Sequence, residues 1–116
     1  MTNREIRSWY LREVAKIAAL DKGWQERGDS LEDRARQAWR RRHDLRLRAR
    51  EMMEDPAEVE LLRARDLMLY GDSGGPTFDD LVDAGLSKGL EGAQALGAIL
   101  RSALSTDESV NKLFGL

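Results

Sequence analysis

Apolar residues recur at every third or fourth position along most of the chain, and no stretch alternates with period two in a β-branched background. That pattern predicts an all-α fold, a compact bundle of about five or six helices with no sheet. Thr2 and Glu5 have capping-box spacing, and Ile6, Trp9, Tyr10, Val14, Ile17 and Leu20 follow at helical intervals. The first helix is therefore expected to end near Leu20, before Gly23. Ser30 and Asp33 mark a second start; Leu31, Ala35, Ala38, Leu45, Ala49 and Met52 form its stripe, with Trp39, His43 and Leu47 beside it, and the helix is expected to reach Glu54. Asp55, Pro56 and Glu58 read as N-cap, first helical position and capping acid of a third helix. This helix turns Val59, Leu62 and Leu69 inward and stops at Gly71. Thr77 caps a short helix bearing Phe78, Leu81 and Val82, which Gly85 is expected to end. Leu90 to Leu104 is rich in small residues, with Gly92 and Gly97 expected to permit close helix contact, and Ser105 and Glu108 open a last turn carrying Val110, Leu113 and Phe114. Trp9, Trp39, Leu62, Leu69, Phe78 and Leu100 are the large side chains expected in the core.

The 116 residues suit one domain, spanning 1–116, since a chain of this size buries roughly two thirds of its unfolded surface. The absence of cysteine excludes a disulfide scaffold, a thiolate zinc site and a cysteine nucleophile. A single histidine leaves only His43 and carboxylates for any metal. Apolar runs such as Ile17 to Leu20 fall far short of the ~18 to 20 residues of a membrane span, and the charged N-terminus has no signal-peptide core, so no membrane partner is expected and the chain on its own is expected in the cytoplasm.

A net charge of -2 conceals a strong polarity. Residues 1–50 hold 14 basic and 8 acidic side chains, whereas residues 51–116 hold 5 and 13. Much of the positive half is one helix carrying Arg34, Arg36, Arg40, Arg41, Arg42, Arg46, Arg48 and Arg50. Arginine's planar fork suits bidentate contact with phosphate or carboxylate, which makes a nucleic acid or nucleotide the expected partner. At 3.6 residues per turn these arginines point in nearly every direction, so some must face the core or a cleft. Arg42 lies on the apolar stripe of its helix and Asp66 on that of the next, which predicts a buried ion pair between Asp66 and Arg42 or Arg46.

Imidazole titrates close to neutrality, and His43 stands one helical turn after Trp39 and close in sequence to Arg42, Arg46 and Arg50. A histidine edging the core and a histidine serving as base or acid beside a phosphate-binding cluster are both consistent with that placement. The second is the minimum equipment for metal-independent cleavage of RNA through its 2′-hydroxyl. The candidate site is then His43, Asp66 and Tyr70 as catalytic groups, with Arg42, Arg46 and Arg50 contacting substrate. Two strings look functional and have simpler explanations. GDSGGP, residues 71–76, resembles the segment around the nucleophilic serine of chymotrypsin-like proteases, but Ser73 lacks their histidine context and their β-barrels. RGDS, residues 27–30, matches an integrin-binding string, but its serine already serves as a helix cap. No Walker loop, dinucleotide fingerprint, HExxH or EF-hand pattern occurs, so no cofactor or metal is expected.

Taken as a whole, the chain resembles a family of short C-terminal toxin domains of bacterial polymorphic toxins, including Rhs-repeat and PAAR-linked effectors of type VI secretion. The segments that carry the resemblance are REIRSWYLREVAKI, RRHDLRLRAREMMEDPAEVELLRARDLMLYG, GPTFDDLV and VNKLFGL. In the family a tighter Asn-Pro-Asp-Gly type of turn stands where this chain has Gly71 to Gly75. The resemblance implies a domain delivered into the cytoplasm of a competing cell and neutralised there by a cognate immunity protein; it assigns no chemistry and no oligomeric state. Met1 at the start and the lack of a delivery segment fit either an excised domain or an independent small protein. A non-enzymatic helical binding module for nucleic acid or protein, and an immunity or regulatory protein of such a system, are the alternatives. Toxicity on expression separates the first reading from both.

Overall fold

The structure, a computed structural model, describes residues 1–53, 56–71 and 75–116, with the backbone alone at Glu58. Among these residues there are six helices and no strand: α1 (Asn3–Arg27), α2 (Leu31–Met52), α3 (Pro56–Tyr70), α4 (Phe78–Ser87), α5 (Gly92–Leu104) and α6 (Ser109–Leu113). The expected all-α bundle is what the chain forms. Asp55, expected to cap α3, Glu54, expected to end α2, and Ser73 lie outside the described residues.

Local chemistry sets most boundaries. Thr2 and Glu5 close a capping box on α1, Ser30 caps α2 by accepting from the Asp33 amide, and Thr77 with Asp80 closes a second box on α4. α1 does not stop near Leu20. It runs on to Arg27 because Gly23 sits in open space and is tolerated within the helix, while Gly28, at φ 85°, supplies the left-handed C-cap. Two further expectations about glycine change places. Gly85 does not end α4 but lies inside it, where a Cβ would stand 2.9 Å from the Cβ of Ala95 on α5. A Cβ at Gly92 would meet nothing, and one at Gly97 would meet only the tip of Arg101. The close approach of α4 and α5 thus depends on Gly85 and Ala95.

α2 is the centre of the bundle and packs most extensively against α5 and α1. Its buried face is built from Ala35, Ala38 and Ala49 with Leu45, small side chains that bring its neighbours close. Around it sit Ile6, Tyr10, Val14, Ile17 and Trp24 of α1, Ile99, Leu100 and Ala103 of α5, and Phe78, Val110 and Phe114. Trp9 and Trp39 are half-buried at the edge of this core, and the enclosed tryptophan is Trp24, in the stretch of α1 beyond the expected end.

α3 departs most from expectation. Val59 and Asp66 are buried and Leu62 is half-buried, but Leu69 is 60% exposed, as are most of its neighbours in the last turn. The helix does not lie along α2; it touches the bundle through Val59, Leu62 and Asp66 and then leaves it.

Candidate functional site

A cleft of about 1020 Å³ opens where α2, α3, α4, α5 and α6 meet. One wall is apolar, formed by Leu81 and Ala84 of α4 with Ala95 and Ile99 of α5. The remainder is cationic: among the described residues Arg42, Arg46, Arg50, Arg65, Lys88, Arg101 and Lys112 line it against a single acid, Asp107. Only five basic residues occur after position 50, and four of them are in this cleft. The cation-rich first half and the cation-poor second half therefore contribute to one site.

The three arginines expected to bind substrate follow one another at four-residue spacing on α2, hence on one helix face. Their environments differ. Arg42 donates its Nε to the Tyr10 hydroxyl at 2.5 Å and its Nη1 to the carbonyls of Ala103 at 3.0 Å and Ser105 at 2.7 Å, so it satisfies the C-terminal end of α5. Its guanidinium also lies 4.9 Å from the centre of the Tyr10 ring. Arg46 is half-buried and has no carboxylate within ion-pair distance among the described residues. Burial, reinforced by the cation of Arg50, pulls its pKa below the ordinary value, with Asp66 opposing the shift.

Arg50 is only 3% exposed. Its Nη1 donates to Oδ2 of Asp66, while its Nε and Nη2 are buried with no hydrogen-bond partner among the described residues. Asp66 is 1% exposed and is also contacted at Oδ1 by Arg65 at 3.3 Å. Burial opposes its ionisation, but the hydrogen bond and charge of Arg50, with Arg65 and Arg46 behind them, hold its carboxyl below the usual range. The buried ion pair expected for Asp66 is present, but its partner is Arg50, neither Arg42 nor Arg46. A helix folded back alongside α2 would bring Asp66 level with Arg42; because α3 does not lie along α2, Asp66 meets the cation nearer the junction.

His43 lines the cleft and stacks on Trp39, with ring centroids 4.9 Å apart and planes 12° from parallel. Phe78 meets the same tryptophan edge-on at 6.2 Å. Gly75, the last glycine of the GDSGGP segment, passes over this corner: a Cβ there would stand 3.6 Å from Cε1 of His43 and 4.0 Å from both terminal nitrogens of Arg46. Its φ of 138° is one that favours glycine.

The structure therefore brings His43, Arg42, Arg46 and Arg50 to one cleft and sets Asp66 behind Arg50. Tyr70, 40% exposed near the end of α3, is not among the residues lining it. The residues missed from sequence are Arg65, Lys88, Arg101 and Lys112. Their signal was the scarcity of cations in an acidic half, which becomes informative only once folding has placed them together. Among the described residues, no group of three histidine and carboxylate side chains is placed to hold a metal ion, and no helix is long and apolar enough to cross a membrane. No protein-family model matches the chain, and no curated protein and no solved structure matches it significantly.

Proposed function

We propose that this domain is a toxin domain that acts in the cytoplasm of a competing bacterium, holding a nucleic acid or a nucleotide by its phosphates in the cationic cleft. The observation that carries the reading is the charge of the site: among the described residues seven cationic side chains line it against one carboxylate, in a chain whose net charge is -2. A concave, partly apolar cleft with converging charged groups is the default form of a ligand site. Guanidinium groups match phosphate oxygens in geometry as well as in charge.

Within the cleft His43 is the group suited to proton transfer, with Arg46 beside it to stabilise charge developing on a phosphoryl oxygen. Asp66, engaged by Arg50 and Arg65, acts as a positioning residue that fixes Arg50. Tyr70 has no part in the cleft. A second reading, binding without chemistry, is favoured by one observation: the imidazole of His43 is stacked flat on Trp39, a packing role that serves equally well without proton transfer.

The test is inducible expression in bacteria of the parent chain and of Arg46→Met, with growth and the integrity of cellular RNA and DNA as readouts. Arrested growth with the parent and its relief by the substitution support the reading. Growth unaffected by the parent chain, or equal arrest by the variant, overturns it.

A further inference from the structure

The charge at the floor of the cleft is compact. Among the described residues Arg46, Arg50 and Arg65 face one carboxylate, Asp66, which leaves an excess of two positive charges in a partly desolvated space. Two donors of Arg50 are buried there without an acceptor among the described residues. An internal phosphodiester brings one negative charge and is tethered on both sides. A duplex carries its phosphates on a convex surface, which fits poorly into a concavity. A terminal di- or triphosphate is free on one side and concentrates two to four charges on adjacent phosphorus atoms. The volume of about 1020 Å³ is far larger than a phosphate chain requires. The apolar wall of Leu81, Ala84 and Ile99 offers a surface suited to a planar base.

We propose that the cleft is a site for a nucleoside polyphosphate, its terminal phosphates at the half-buried Arg46, within the field of the enclosed Arg50, and its base against the wall formed by α4 and α5. The proposal rests on the reading of the cleft as a phosphate site and names which phosphate it takes.

Calorimetric titration of the full chain tests it with four probes: ATP, inorganic tripolyphosphate, and a short single-stranded oligonucleotide with hydroxyl ends or with a 5′-triphosphate. ATP should bind, the hydroxyl-ended oligonucleotide should bind at least ~10-fold more weakly, and Arg46→Met should weaken ATP binding about 10- to 100-fold, as expected for loss of a charge-assisted contact. Arg48→Ala, an exposed arginine of the same helix outside the cleft, should leave the affinity unchanged. Equal affinity for the hydroxyl-ended oligonucleotide overturns the proposal and leaves a nucleic-acid function standing. Equal affinity for tripolyphosphate overturns the place given to the base. Binding of no probe overturns both the proposal and the phosphate reading beneath it.

Discussion

Replacing Asp66 by Ala removes the carboxylate that faces Arg50 and leaves a cation that is 3% exposed with no acceptor on Nη1, Nε or Nη2. Removing one partner of a buried pair typically destabilises a protein by about 3 to 5 kcal/mol, because the other charge stays desolvated and uncompensated. With an unfolding entropy of about 2.1 cal/mol/K per residue, 116 residues give roughly 0.24 kcal/mol/K, so each kcal/mol moves Tm by about 4 °C. Thermal melts followed by circular dichroism at 222 nm should therefore place Asp66→Ala roughly 12 to 20 °C below the parent. The double variant Arg50→Met/Asp66→Leu should recover most of that loss, because an apolar pair of similar volume has no charge to desolvate. The coupling from the double-mutant cycle isolates the pair from the rest of α3. A fall of less than about 4 °C for Asp66→Ala would mean that water reaches Arg50 freely, and the account of an enclosed cation would be wrong. Failure of the double variant to recover would place the loss in the packing of α3 instead of in charge.

Four other outcomes follow from the geometry. The carboxyls of Asp66 and of Asp21, which Arg34 grips at 2.9 and 3.0 Å, both lie below the ordinary 3.8, so the unfolded chain binds more protons in acid than the native one. Their stabilisation is complete above that value and is lost as pH falls through the lowered native values; Tm should drop most steeply below about pH 4, and less steeply in Asp21→Asn. Gly85→Ala pushes a methyl group to 2.9 Å from Ala95 and should destabilise by about 1 to 3 kcal/mol in chemical denaturation. Gly92→Ala, in open space on a helix, should instead be neutral or raise stability by up to about 1 kcal/mol. His43→Gln should reduce toxicity by the ~100- to 10,000-fold typical of positioned proton transfer while leaving ATP binding within about 3-fold of the parent; undiminished toxicity would leave binding as the whole of the activity.

The sequence was most legible where structure depends on neighbours along the chain. The caps at Thr2, Ser30 and Thr77 and the inward stripe of α1 follow from local hydrogen-bonding chemistry and helical period. It was least legible where a residue's role depends on what another helix does. Gly23 and Gly85 carry the same local signal, a helix-weakening glycine; one sits in open space and the other makes room for Ala95, a difference that arises only when α4 meets α5. Leu69 keeps the spacing of Val59 and Leu62, but α3 leaves the bundle before Leu69 can bury. The same cause moved the partner of Asp66 from Arg42 to Arg50. Helical period established that a cation and a carboxylate would be buried, and the angle between two helices chose which.

That angle also has a bearing on function. Had α3 folded back along α2, Asp66 could have been satisfied by Arg42, and Arg50 could have remained an exposed arginine near a helix end. The observed arrangement instead encloses Arg50, leaves Arg46 half-buried with no carboxylate in ion-pair reach among the described residues, and frees Arg42 to hold the end of α5. Burying cations in excess of anions opposes folding, and an apolar residue at position 50 would avoid the penalty. The penalty falls in a cleft of about 1020 Å³ that the chain's only histidine also lines. An anion entering that concavity relieves it, so part of the folding free energy withheld by Arg46 and Arg50 is returned on binding. On the proposed reading, ligand affinity and native stability are set by the same two side chains, and substitutions that relieve the charge should stabilise the fold as they weaken the site.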